Sequence, residues 1–202
     1  MSRYTGPRVR VARALGCDLP GLTTNTIEKR PMRPGQHGAA KQKLSDYGLR
    51  LREKQKLRFN YGLGEKALRN LVVQARTGSE NTGEKLIELL ERRLDNVVFR
   101  AGFAATIPAA RQLVTHGHVR LNGRRVTFPA LRVVVGDVVS IADKSRDNPH
   151  IQSALTGCAH RPDWLVFDET TKRARVAGTP PPTSALLLVD LRLVVEFYAN
   201  RL

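Results

Sequence analysis

The 202 residues are 41% hydrophobic and carry 34 Lys and Arg against 18 Asp and Glu, a formal net charge of +16. That is enough apolar material for one large or two small cores, but no stretch approaches the ~20 consecutive apolar residues of a membrane-spanning helix. An excess of this size repels itself without an anionic partner, and because the cations run through most of the chain, nucleic acid is the expected one rather than a membrane. The basic N-terminus lacks the apolar core of roughly 7 to 15 residues that a secretory signal needs, so the mature chain is expected to begin near Met1. Cys17 and Cys158 are too few for a disulfide framework, which favours a reducing cytoplasmic compartment; counting alone leaves a bridge between them open.

Residues 1–44 are rich in Gly, Pro, Arg and Thr, with LPGLTT and RPGQHG reading as turns, and predict an extended basic arm. Residues 1–60 hold 14 of the basic and 4 of the acidic residues, so the front carries most of the excess. The arm is either a solvated tail or a segment that orders against nucleic acid; the second reading makes Arg3, Arg8, Arg10 and Arg13 candidate RNA contacts.

From Ser45 the stretch SDYGLRLREKQKLRFNYG opens with capping residues and continues with strong helix formers. Helical spacing puts Arg50, Lys54 and Arg58 in one row and Arg52 and Lys56 in a neighbouring one, with Leu44, Tyr47 and Leu51 toward the core. A merely solvated face would interleave acids, and only Glu53 does so, which favours phosphate contact by all five cations. A second helix is expected in EKALRNLVVQARTG, with Leu68, Leu71, Val72 and Ala75 at i, i+3, i+4, i+7. A third, the strongest, is expected to run unbroken through KLIELLERRLDNVVFRAG to Gly102.

Thr106 then reads as an N-cap with Pro108 in the first turn of a short helix ending at Gly117. Afterwards the period becomes two. HVRLNGRRVTF carries Asn122-Gly123, the standard two-residue hairpin signal. LRVVV and VVSI, flanking Gly136-Asp137, predict two more strands of a small antiparallel sheet. IQSALTGCA predicts a helix, WLVFD and ARVAG a hairpin, Pro180 to Pro182 a break, and the tail a strand followed by a helix near Val194.

The hairpin carries the most informative chemistry. A tight turn brings both strand ends to one edge, so Arg120, Asn122, Arg124 and Arg125 come within reach of Arg111 and His116 at the preceding helix. Arginine forks onto phosphate and stacks on exposed bases. Glu91 and Asp95 lie beside Arg92 and Arg93 and read as ion-pair partners, not as a catalytic acid pair. His116 and His118 lack Cys or acid partners for a metal, Trp164 reads as a packing residue, and no Gly-rich phosphate cradle is present. No catalytic residue and no cofactor is expected.

RRLDNVVFRAGF, AARQLV, GHVRLNGRRV and GDVVSI together resemble the small RNA-binding module first described in ribosomal protein S-four, over roughly fifty residues. That module also serves as an accessory in pseudouridine synthases, tyrosyl-tRNA synthetases and heat-shock RNA-binding proteins. RYTGPR, PGQHG at 34–38, the stretch 44–62, NTGEKLIELLERRLDN and the closing LVVEFYANRL extend the resemblance, nearly end to end, to the bacterial small-subunit (30S) ribosomal protein S-four family.

The resemblance implies an α+β fold: a helical domain from 45–90 completed by 178–202, and an S-four-type RNA-binding domain at 91–177. The core module at 91–141 would be a helix pair packed on a small antiparallel sheet, and the arm would be 1–44. It implies a cytoplasmic structural component of the small ribosomal subunit that binds the 5′ domain of the rRNA, nucleates assembly of the subunit body and contributes to translational accuracy. It further implies contact with ribosomal protein S-five and with mRNA where it enters the ribosome, through Lys41 and Lys43, and neither a membrane nor a small-molecule substrate. Two departures stand out. Many relatives carry a zinc-binding cysteine set near the N-terminus where this chain has only Cys17, which His37 cannot complete, so no zinc is expected. Ile107 stands where many carriers of the module have a basic residue, shifting the weight to Arg111 and the hairpin.

Two other readings remain at this stage: an RNA-modifying or tRNA synthetase-like enzyme using the module as an accessory, and a non-specific nucleic-acid chaperone. An enzyme would need a catalytic domain, typically well over about 100 residues. The residues outside the module are split by the arm and carry no recognisable motif.

Overall fold

The computed structural model describes residues 4–40, 43–78, 81–158 and 161–199. The chain divides into two compact units, one of residues 1–86 with 185–202 and one of residues 87–184.

In the first unit, the segment expected as an extended arm contains a helix, α1 (Arg8–Leu15), ended by Gly16 at φ 64°. Ala12 and Leu15 of α1 bury together with Leu19, Leu22 and Leu187. These spaced apolar residues are too few to stand out among Arg, Gly and Pro, but they suffice for a small satellite core. Helix α2 (Asp46–Asn60) begins where expected, with Ser45 Oγ accepting from the Gly48 N–H. Its buried stripe is not Leu44, Tyr47 and Leu51, which all keep some exposure, but Lys54, Leu57 and Asn60. Helix α3 (Glu65–Arg76) buries Leu68, Leu71, Val72 and Ala75, as the spacing predicts.

The expected third helix is two. Helix α4 (Thr82–Glu91) stops, Arg93 turns extended at φ −70°, ψ 138°, and α5 (Leu94–Arg100) starts anew. The cause lies in residues 129–133. The N–H groups of Leu94 and Asp95 donate to the carbonyls of Leu131 and Pro129, Arg93 bridges Arg132, and the Val133 N–H donates to the Arg92 carbonyl. LRVVV therefore forms no sheet strand: its polar backbone serves the helix break, Val133 is buried, and Val134 and Val135 are exposed.

In the second unit α5 packs against α6 (Ile107–Thr115), which Thr106 caps by accepting from the Ala109 N–H. Strands β1 (Val119–Leu121), β2 (Arg124–Arg125), β3 (Val138–Ile141), β4 (Leu165–Asp168) and β5 (Arg173–Val176) form one antiparallel sheet in the order β2-β1-β3-β5-β4. Between β3 and β4 lies α7 (Pro149–Thr156), capped by Asn148. Val97, Val98, Ala110, Val114, Ile151 and Trp164 pack with Val119, Val139, Ile141, Leu165, Ala174 and Val176 on the inner sheet face.

Near the C-terminus the residues before Asp190 form no strand. They are followed by α8 (Leu191–Ala199), whose first turn is capped by Asp190 Oδ1 accepting from the Arg192 N–H. Helix α8 packs on α2 and α3 in the first unit.

Two buried carboxylates organise the second unit. Asp95, fully buried, takes a bidentate pair from Arg93 at 3.1 and 2.8 Å and a contact from Arg111 Nη2 at 2.7 Å. Glu91 accepts from Arg100 Nε and Asn96 Nδ2, both at 2.9 Å. Removing the charge of Asp95 strands two guanidinium groups with little access to water, a defect worth about 3–5 kcal/mol. Asp95→Ala is expected to lose that much stability in urea denaturation.

The first unit has a parallel device in Glu65, which accepts from Lys54 Nζ at 2.9 Å and Tyr198 Oη at 2.7 Å. Burial pushes the Glu65 carboxyl up, but the hydrogen bonds from Lys54 and Tyr198 and the nearby charges outweigh it and hold the group below its ordinary value. A lowered folded pKa stabilises above the ordinary carboxylate range and loses that contribution as pH falls through the folded value. Because Glu65 is half exposed, Glu65→Gln is expected to cost only about 1–2 kcal/mol at pH 7. The gap from wild type should close as denaturation curves are taken below about pH 4.

Candidate nucleic-acid interface

The hairpin turn is built as its sequence requires. Asn122 and Gly123 take φ 50° and 79°, both left-handed, as a type I′ turn demands. Register pairs Arg120 with Arg125 and Leu121 with Arg124. Asn122 spends its side chain on the fold: Nδ2 donates to Asp137 Oδ1 at 2.8 Å and Oδ1 accepts from the Val138 N–H at 2.9 Å. Asn122, expected at the RNA, thus also shapes the turn.

Arg124 and Arg125 are exposed and have no acidic partner among the described residues. The Arg125 guanidinium lies across Gly117, where a Cβ would run into it, and Gly117 at φ 76° ends the turn after α6. Arg125 thereby reaches the neighbourhood of exposed His116, whose ring centre stands 6.1 Å from that of His118. His118 Nδ1 is 2.8 Å from Ser145 Oγ. Arg120 is partly engaged, 3.1 Å from Asp143, which also holds Arg146 at 2.8 Å.

Arg111 does not join this edge as a free cation. Its Nε and Nη2 donate to Asp95 Oδ2 and its side chain is 15% exposed, because a buried carboxylate needs the neutralisation.

The cationic rows of α2 are corrected in the same sense. Lys54 is buried, paired with Glu65 and set 4.7 Å from the Phe197 ring centre. Arg50 donates to Glu196 at 2.8 Å, and Arg52 donates through Nε and Nη2 to the Leu15 carbonyl. Lys56 pairs with Glu53, and Arg58 donates to Gln55 and stands 4.0 Å from Glu65. The acids missing from the local sequence arrive from α3 and α8, so the rows face partners within the unit instead of facing outward together.

Near the N-terminus, Arg8 donates to the Leu22 carbonyl and Arg13 to the Met32 carbonyl, while Arg10 is exposed without an acidic partner among the described residues. Arg13, Lys29 and Arg30 line a shallow depression of about 640 Å³ with Thr24, Asn25 and Thr26. Lys43 is exposed; Arg3 and Lys41 lie outside the described residues.

Two exposed arginines escaped the sequence reading. Arg173 and Arg175 alternate with buried Ala174 and Val176 on β5, and pairing of β5 with β3 brings them into the same sheet as the hairpin. The R-A-R-V alternation was visible as a strand; its pairing partner was not. Among the described residues no three His, Cys, Asp or Glu are grouped to hold a metal, and no helix is long and apolar enough to cross a membrane. Cys17 and Cys158 form no disulfide.

Known families match the chain along 3–139. The Ribosomal protein S4/S9 N-terminal domain covers residues 3–91 and the S4 domain residues 92–139. Over 205 aligned positions the chain is 57% identical to small ribosomal subunit protein uS4 of Methylobacillus flagellatus and 53% identical to uS4B of Nitrosomonas europaea. It is 48% identical to uS4 of Thermosynechococcus vestitus over 203 positions, and each comparison covers the whole of both chains. A module borrowed by an enzyme would align over the module alone; this likeness spans both units, and the chain belongs to the uS4 family of small ribosomal subunit proteins.

Proposed function

We propose that this chain is a structural, non-enzymatic protein of the small ribosomal subunit that binds the 5′ domain of its rRNA, nucleates assembly of the subunit body and contributes to translational accuracy. The observation that carries the reading is the full-length likeness to uS4 proteins, joined to a rigid hairpin that holds Arg124 and Arg125 out without acidic partners. Arg10, His116 and Arg120 add to the contact, with Arg8, Arg13, Arg50, Arg52, Lys56 and Arg58 contributing from positions already engaged within the protein. Arg3, from outside the described residues, belongs to the same set. Lys41 and Lys43 would face mRNA where it enters, and ribosomal protein S-five would be a neighbour within the cytoplasmic ribosome. The enzyme reading is not favoured, because the residues outside the module align with ribosomal proteins.

Phosphate neutralisation releases counterions, so affinity should fall steeply with salt, log K dropping roughly 0.7 to 0.9 per phosphate against log salt. Binding of the purified protein to a 5′-domain transcript is expected to survive excess tRNA and duplex DNA. Equal competition by all three would sink the ribosomal reading in favour of a non-specific chaperone.

Arg124→Ala with Arg125→Ala is expected to flatten the salt slope by about 1.4 to 1.8 while shifting unfolding by less than about 0.5 kcal/mol. A double variant that melts early yet binds normally would remove the hairpin from the interface.

A further inference from the structure

The register of the sheet sets an unanticipated row. Residues paired directly across strands share a face, and the pairs Arg125–Arg120, Arg120–Ser140, Ser140–Arg173 and Arg173–Asp168 run across all five strands. A second row joins Val138, Arg175 and Val166. The opposite face holds Val119, Val139, Ile141, Ala174, Val176 and Leu165 in the core, so both rows point away from it. This outer face therefore carries Arg120, Arg125, Arg173 and Arg175, the last three exposed.

Acids offset these charges only in part, for Asp168 lies directly opposite Arg173 and attracts it. Asp143 is shared between Arg120 and Arg146, and Asp168 at the far end accepts from the Thr170 and Thr171 backbone and from the Thr171 hydroxyl. Arg173 and Arg175 stand about 6.6 Å apart along their strand, and two strand steps of about 4.8 Å separate Arg120 from Arg173, with small Ser140 between. Neither row contains an aromatic side chain, so the face has no platform for stacking single-stranded bases. What it offers is a spread of guanidinium forks over an open floor, which suits phosphates flanking a groove of A-form RNA.

We infer that the outer sheet face is a second RNA-binding surface, distinct from the hairpin edge, and that it takes the phosphate backbone of a double-stranded rRNA segment. The inference rests on the rRNA reading above. Arg173 and Arg175 lie outside the S4-domain match at 92–139, so the surface joins the module to the hairpin that follows it.

The test uses the full-length protein and the 5′-domain transcript, with hydroxyl-radical footprinting and salt titration. R173A/R175A is expected to weaken binding about tenfold or more and to flatten the salt slope by about 1.4 to 1.8. It should also expose a base-paired stretch different from the one exposed by R124A/R125A. R173K/R175K should keep the slope, and R173Q/R175Q provides the same reading should the alanine variant fold poorly. Unchanged affinity, slope and footprint in the folded R173A/R175A or R173Q/R175Q protein would overturn the outer-face surface, while a defect in R124A/R125A would leave the rRNA reading standing. Intact RNA binding with lost association to an acidic protein in the reconstituted subunit would overturn it in favour of a protein contact. A wild-type chain that does not prefer the transcript would bring down both readings together.

Discussion

Burying a carboxylate is tolerable only when cations and hydrogen bonds surround it, and in this protein that requirement shapes the RNA-binding unit. Asp95 sits at zero exposure beside the break between α4 and α5, and meeting its demand fixes three things together. Arg93 leaves the helix to reach it, Arg111 is drawn inward from α6, and Asp95 Oδ1 also accepts from the Asn96 N–H as α5 restarts. Glu91 repeats the arrangement one turn earlier with Arg100 and Asn96. At Asp95 the planar fork of Arg93 satisfies both carboxylate oxygens at once, whereas Arg100 meets Glu91 through Nε at one oxygen.

This internal demand sorts the cations of a strongly basic chain into two populations. Lys54, Arg93, Arg100 and Arg111 are structural, each held against an acid and shielded from solvent. Arg10, Arg124, Arg125, Arg173 and Arg175 are exposed at the surface. Net charge announces a polyanion but cannot say which cations will meet it, since a buried lysine and an exposed arginine count alike.

The sequence disclosed the features governed by local rules: the Ser45 and Thr106 caps, the apolar stripe of α3, the Asn122-Gly123 turn and the α+β class. It concealed those settled by distant partners. The break at Arg93 depends on carbonyls nearly forty positions away, and LRVVV has ideal strand composition yet spends its backbone there. Lys54 looked like a surface cation because Glu65, Tyr198 and Phe197, which enclose it, lie on other helices. For the candidate interface, the placement of Arg124 and Arg125 at an exposed hairpin was legible from turn chemistry, whereas that of Arg173 and Arg175 required knowing that β5 pairs with β3.

The carboxamide of Asn122 has a consequence for how the protein meets its partner. By bonding Asp137 and the Val138 N–H while Asp137 also accepts from the Val134 N–H, it laces two neighbouring turns into one frame. A loose arginine loop would surrender about 1–2 kcal/mol of backbone freedom per residue on docking. Here that entropy is already lost when the chain folds, so the tip is preorganised and meets any partner as a finished shape.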